Sequence, residues 1–259
     1  MPRAVLQLAA LFAGSMLAFS AAGRSQAMPA QDQSGLYTGV TIPDVPGLPF
    51  SATVVIEFEQ QWPDGGSETF RTINLIGRDR NGRTHNEKRR FMPQNFHGSP
   101  ALLGVRLSDP LRHVQTLYEP SLHIARELAA PEPEKPDADT SRSIHSEDLG
   151  VTTLDGLQAR GTRKTYTLSA KASGVGERVT IEDEEWYSKD LQIDLLIRHN
   201  DPRIGTQTIG LSNLKREDPP AALFQVPAGY QILHVSTAPP AKPKSPSDET
   251  HELNPHPNL

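Results

Sequence analysis

Four consecutive carboxylates, Glu182-Asp183-Glu184-Glu185, are the first residues to test for chemistry. In a strand, Glu182 and Glu184 share one face and Asp183 and Glu185 the other, two pairs that could hold a cation or share a proton. The simpler expectation is a solvated outer face, paired across a sheet with Arg160, Arg163 or Lys164. Nine histidines raise a metal site, which needs converging ligands. His85, His97, His113, His123, His145, His199 and His234 stand singly, and His251 and His256 fall in a polar tail. Single surface histidines and no metal are expected. With no cysteine, thiol nucleophiles, disulfides and iron–sulfur ligation drop out. Gly174-Val175-Gly176 lacks the third glycine of a phosphate loop and leads into a strand. Gly210-Leu211-Ser212-Asn213 lacks the second glycine of a nucleophile elbow. No nucleophile–base–orienter set assembles, so neither an enzyme nor a cofactor is expected.

One basic segment stands out. From Glu68 to His97, Arg71, Arg78, Arg80, Arg83, Lys88, Arg89 and Arg90 face only Glu68, Asp79 and Glu87, seven positive charges against three, or +4. Such a ribbon could touch anionic headgroups or nucleic acid, or serve as a charged edge hairpin that blocks sheet-to-sheet association. It lacks the interleaved aromatics that stack on bases. The whole chain, at 259 residues and net −5, is not the basic domain of a nucleic-acid binder.

The elements that must position these residues are strands. Ala52, Val54, Ile56 and Phe58 alternate with Thr53, Val55, Glu57 and Glu59, the period of a half-buried strand. Pro63-Asp64-Gly65-Gly66 turns into a second strand over 68–77. Asn81-Gly82 predicts a two-residue hairpin with positive φ at both positions. Apolar runs follow at Leu102–Leu107 and Val114–Leu117, then a surface helix near Leu122–Ala129. The second half reads as hairpins about Asp155-Gly156 and Ser188-Lys189-Asp190, a turn at Asp201-Pro202-Arg203, and a short helical turn from Pro219-Pro220 to Phe224. Consecutive strands with scarcely any helix exclude a βαβ series. A mainly β fold is expected, one curved antiparallel sheet or half-open barrel.

Met1-Pro2-Arg3 followed by an Ala/Leu-rich run and small residues up to Ala27 has the layout of a secretory leader, residues 1–27. No cysteine follows it, so no lipoprotein anchor is expected. Loss of Arg3 and Arg24 takes the formal charge from −5 to −7. Residues 28–50 read as an irregular lead-in with Pro43, Pro46 and Pro49. A single β domain over 51–236 is interrupted by a Pro/Glu-rich loop at 130–143, and 237–259 is a Pro-rich disordered tail. An exported protein, periplasmic or secreted and at most peripheral to a membrane, is expected.

Several linked motifs resemble those of a large group of exported bacterial proteins without an assigned activity. They are Arg78-Asp79-x-x-Gly82-Arg83, Asp109-Pro110, Leu149-Gly150, Leu154-Asp155-Gly156-Leu157-x-Ala159-x-Gly161-Thr162-Arg163, Trp186-Tyr187-Ser188-x-Asp190-Leu191, Asp201-Pro202-Arg203 and Pro219-Pro220-x-x-Leu223-Phe224-x-Val226-Pro227-x-Gly229-Tyr230. The resemblance runs from about Thr53 to Leu233, and none of the motifs is a catalytic signature. Its strand order is similar to that of LolA/LolB-type periplasmic lipoprotein carriers and RseB-type sensor domains, half-open barrels whose concave side holds acyl chains. The resemblance implies a non-enzymatic β protein whose concave face binds an apolar ligand, lipid or lipidated partner. Val54, Ile56, Phe58, Trp186, Leu191, Ile193, Leu195 and Ile209 are the expected lining. The alternative is an envelope sensor or scaffold with a filled sheet that binds protein. Arg163 and Arg203 are expected to pair with Asp190 or Glu182.

Overall fold

The computed structural model describes residues 36–62, 64–130 and 144–235. The leader, the centre of the Pro/Glu-rich loop and the tail lie outside them. Thirteen strands carry the fold: β1 (Phe50–Gln61), β2 (Ser67–Arg78), β3 (Thr84–Arg89), β4 (Met92–Pro93), β5 (Leu102–Asp109), β6 (Val114–Glu119), β7 (Ile124–Ala129), β8 (Ile144–Leu154), β9 (Leu157–Leu168), β10 (Val179–Ser188), β11 (Ile193–Asp201), β12 (Gly205–Lys215) and β13 (Gln231–Val235). A one-turn helix, α1 (Ala170–Ser173), and a 3-10 turn, Ala221–Phe224, are the helical pieces among the described residues.

The strands form one open, curved sheet in the order β13-β7-β6-β5-β3-β2-β1-β12-β11-β10-β9-β8, with β4 on β2. Two meanders, β1 to β7 and β8 to β12, meet where β1 pairs antiparallel with β12. Every pair is antiparallel except β13, which adds parallel to β7. The basic β2–β3 hairpin is therefore interior, flanked by β1 and β5, and not a charged edge.

Turn chemistry sets the registers. Asp155 and Gly156 both take positive φ, the two-residue hairpin expected. At Asn81-Gly82 only Gly82 does, because the Asp79 carboxylate accepts the amides of Asn81 and Arg83 and fixes a wider turn. An acid-Pro turn recurs at Asp109-Pro110, Glu119-Pro120 and Asp201-Pro202, ending at His113, His123 and Gly205 with positive φ. Histidine tolerates that region better than most side chains. The second such turn starts β7, so the helix expected at Leu122–Ala129 is a strand.

Two cores form on this sheet. The larger joins Phe50, Ala52, Val54 and Ile56 of β1 to Ile76, Leu157, Ala159, Leu191, Ile193, Leu195, Ile197 and Ile209. Tyr37 and Val40 belong to it too, so the described part of the irregular lead-in, residues 36–49, is a strap laid along the sheet and anchored by these two buried side chains. The smaller core joins Val105, Leu107, Tyr118 and Ala125 on the other face of β5–β7. The segment after β12 covers it, through Val226 and Tyr230.

Arg78 fastens the strap. Its side chain is fully buried, and it donates to the carbonyls of Pro43 (2.9 Å), Leu48 (2.9 Å) and Leu191 (2.6 Å). Its guanidinium lies 5.1 Å from the centre of the Phe50 ring. Desolvation lowers its pKa to about 10, so it stays charged at neutral pH. Removing the donors strands one buried carbonyl, Leu191, and two part-buried ones, Pro43 and Leu48, at up to about 1–3 kcal/mol each. Arg78→Met should therefore lose about 2–4 kcal/mol of stability, read as a lower urea midpoint at unchanged slope. Arg78→Lys should recover less than half, since one ammonium cannot serve three separated carbonyls. A loss under about 1 kcal/mol would mean that the strap is held elsewhere.

Candidate functional site

The strap crosses the concave face and divides it. Gln207 on β12 pins one end as a surrogate strand: its side-chain amide donates to the Tyr37 carbonyl and accepts from the Tyr37 amide, both at 2.9 Å. Asn86 Nδ2 donates to the Val40 carbonyl (3.3 Å), Ser108 Oγ donates to Asp44 (2.6 Å), and the Gly47 amide bonds the Arg80 carbonyl (2.9 Å). On one side of the strap the apolar face is packed shut. On the other, the described residues leave two adjoining hollows.

The first is a cavity of about 310 Å3 lined by Leu36, Tyr37, Thr38, Ile56, Phe58, Phe70, Thr72, Asn74, Lys88, Arg89 and Phe91. Cross-strand register explains it. Phe58 pairs with Phe70, Ile56 with Thr72 and Val54 with Asn74, so these side chains share one face of the β1–β2 hairpin. The second is a groove of about 860 Å3 between strap residues 38–44 and the side chains of β3, β5 and β6, with Thr38 and Lys88 shared between both.

Of the eight residues expected to line a site, Ile56 and Phe58 reach the cavity. Val54, Leu191, Ile193, Leu195 and Ile209 are buried against Tyr37, Val40 and one another. Trp186 packs at the edge of that core, with its Nε1 donating to Glu184 (2.7 Å). A Cβ at Gly161 would lie 2.8 Å from the Trp186 ring, which accounts for the glycine in that motif. Phe70, Thr72 and Phe91 are lining residues that the sequence reading misses. The first two follow from the alternation of β2 once it is folded back on β1. Phe91 has no such signal.

Only half of the acidic run is a solvated face: Glu182 is exposed and Glu184 half-buried. Asp183 and Glu185 are buried, and Asp183 Oδ1 accepts from His199 Nδ1 at 2.6 Å. Glu185 pairs with Lys164 (2.9 Å), while Glu184 bridges Arg163 and Arg198 on the other face. His199 and His85 are buried rather than superficial; His85 Nδ1 donates to the Leu223 carbonyl (2.7 Å). The cross-sheet pairing expected of the acidic run is present as Arg163–Glu184 and Lys164–Glu185, whereas Asp190 and Glu182 are not the partners of Arg163 and Arg203: Arg163 also pairs with Glu147, and Arg203 with Asp201. The Tyr37 ring closes edge-on over His199 at 5.4 Å between ring centres, so the Asp183–His199 pair is sealed from the cavity. Burial and the Asp183 and Glu185 charges raise the Tyr37 hydroxyl well above the tyrosine range. Among the described residues no three His, Asp or Glu side chains converge as a cation site. No described helix is long and apolar enough to cross a membrane.

The basic hairpin is mostly neutralised. Arg71 pairs with Glu57, Arg80 with Asp218, Arg83 with Asp79 and Arg89 with Glu87, while Arg78 is the buried clamp. Burial would raise Glu87, but the Arg89 guanidinium (2.8 Å) and the Leu75 amide (3.1 Å), with the His85 ring nearby, outweigh it and hold the carboxyl down at about 2.

No protein-family model matches the sequence, and no curated relative matches it. Solved structures do. An uncharacterized conserved protein from Thermus thermophilus is 13% identical over 73% of this chain and 91% of its own, with a TM-score of 0.38. The MucA/MucB complex of Pseudomonas aeruginosa matches at 14% identity over 72% of this chain and 58% of that one, TM-score 0.40. A LolA superfamily protein from Nitrosomonas europaea matches at 14% over 70% and 91%, TM-score 0.29.

One buried group sets a pH dependence. Burial, then the Glu185 charge, raises Asp194 to about 7 against the opposing pull of Lys164. The folded state therefore binds a proton that the unfolded chain releases near pH 4, and stability falls as pH rises from about 4 to 7. The loss should be about 2–4 kcal/mol. Asp194→Asn should remove it, giving a variant more stable than the parent at pH 8 and indistinguishable at pH 4. Urea midpoints at both pH values check this; a variant less stable at pH 8 contradicts it.

Proposed function

We infer that this chain is an exported, non-enzymatic binding protein that takes an apolar chain into the cavity bounded by Leu36, Ile56, Phe58, Phe70 and Phe91. One observation carries the reading: an antiparallel sheet buries one face to fold, and here part of that face is left uncovered by the described residues beside a strap that seals the rest. A hollow of about 310 Å3, adjoining a larger groove, falls within the size range of small-molecule sites. In a cell envelope, the ligands with apolar chains are lipids and lipidated proteins. The residues that would touch an apolar chain are aromatic (Phe58, Phe70 and Phe91) and aliphatic (Leu36 and Ile56), side chains that carry no nucleophile.

A second reading, an envelope scaffold that binds protein, is favoured by the packed half of the concave face, where Tyr37 and Val40 occupy the place a ligand would take.

Binding of the neutral fluorophore N-phenyl-1-naphthylamine separates the two. The parent protein should bind it. Thr72→Phe, which fills the cavity floor where Thr72 is buried, should weaken binding at least about tenfold with an unchanged circular dichroism spectrum. Phe58→Ala, which enlarges the cavity, should retain it. Native mass spectrometry of protein from its own host should show a lipid-sized adduct. No fluorophore binding and a bare mass together would overturn the carrier reading in favour of the scaffold.

A further inference from the structure

The groove beyond the cavity carries a charge pattern that an apolar ligand alone does not explain. Its carboxylates are engaged: Asp44 accepts from Ser108 and Thr84 and offsets the buried Arg78, Glu87 accepts from Arg89 (2.8 Å) and the Leu75 amide (3.1 Å), and Glu119 pairs with Arg126. Two cations lining it, Lys88 on β3 and Arg106 on β5, have no partner among the described residues. Both are exposed.

Their placement follows from register. Lys88 pairs with Gly104 and Asn86 with Arg106, so Lys88 and Arg106 are diagonal neighbours on the same face. Side chains of that length reach a common point across such a diagonal. Lys88 also lines the apolar cavity, so it stands at the junction of the two hollows. Gly104, directly across from it, leaves that wall low. A Cβ there would meet the Tyr118 carbonyl oxygen at 3.4 Å, an ordinary contact, so the packing does not require a glycine.

We propose that the ligand is an anionic amphiphile whose tail occupies the Phe58–Phe70–Phe91 cavity and whose carboxylate or phosphate is held between Lys88 and Arg106. This rests on the cavity reading above and adds a head-group class to it. Guanidinium and ammonium together suit a carboxylate or phosphate, the first by its planar fork and the second as a point charge. A neutral head would leave both cations without a partner.

The test compares three ligands of equal chain length, hexadecanol, palmitate and 1-palmitoyl lysophosphatidate, by displacement of N-phenyl-1-naphthylamine at low salt. At least one of the anions should bind about tenfold tighter than hexadecanol. That advantage should shrink in 0.5 M salt and vanish in the double variant Lys88→Gln/Arg106→Gln, with hexadecanol affinity unchanged. Palmitate against lysophosphatidate identifies the head as carboxylate or phosphate. Equal affinities for all three ligands, or an anion preference that survives the double variant, overturn the head-group proposal and leave the cavity reading standing. Failure of all three to displace the fluorophore from a parent that binds it also overturns the proposal. Failure of the parent to bind the fluorophore at all is instead the failure of the cavity reading. Calorimetry with inorganic phosphate completes the comparison: binding as tight as that of lysophosphatidate would show a bare anion site and overturn the amphiphile.

Discussion

A buried guanidinium whose hydrogen-bond partners are all backbone carbonyls holds this molecule together. Arg78 is fully buried, and its partners are carbonyls from the strap (Pro43 and Leu48) and from the turn before β11 (Leu191). Burying such a charge is expensive unless its donors are used, and three of the five are. The arrangement connects three distant stretches of chain at one point. Lysine could supply the charge but not the fork. Because the strap forms one wall of both hollows, the position of any ligand depends on this cluster, although Arg78 touches neither hollow.

The strap also answers how an open sheet covers itself. A closed barrel would bury its interior on all sides, and a lidded one would use helices. Here the cover is an irregular segment with few ladder bonds of its own, fixed by side chains that imitate strand pairing. Gln207 offers Tyr37 the same donor and acceptor that a neighbouring backbone would. Asn86 does so in part for Val40. Such a cover follows the sheet as far as those side chains reach, and among the described residues nothing lies over the face at Phe58 and Phe70.

The strands were legible because period-two alternation survives in β1 and β11, and because Asp155-Gly156 specifies its turn. The strap was not legible: a proline-rich stretch has no period, so nothing local marks Tyr37 and Val40 as core. That omission propagated to the site. Six of the eight expected lining residues pack in or against the larger core instead, and five of them lie on β10 to β12 or the turn before β11, away from the β1–β2–β3 wall that lines the cavity. Buried charge was equally hidden. Alternation correctly separated Asp183 and Glu185 from Glu184, but which face lay inward depended on Tyr37 covering His199, a contact between residues 162 positions apart. The helix expected at Leu122–Ala129 failed for a local reason, a proline turn whose last residue takes positive φ.

The linked motifs now have physical roles, and those roles are architectural. Arg78 clamps the strap, Asp79 and Arg83 close the next turn, and Gly161 makes room for Trp186. Leu223 places its carbonyl on His85, and Tyr230 stacks edge-on against Tyr118 at 5.2 Å. The residues lining the open hollows, Phe58, Phe70, Phe91, Lys88 and Arg106, fall outside every one of these motifs. Frame and contents are thus encoded separately. A sheet whose strap, turns and covering segment are fixed by a small set of buried polar contacts leaves the uncovered end free to change size and charge without loss of the fold. The motifs identify the frame, and the chemistry of the ligand has to be read from the residues between them.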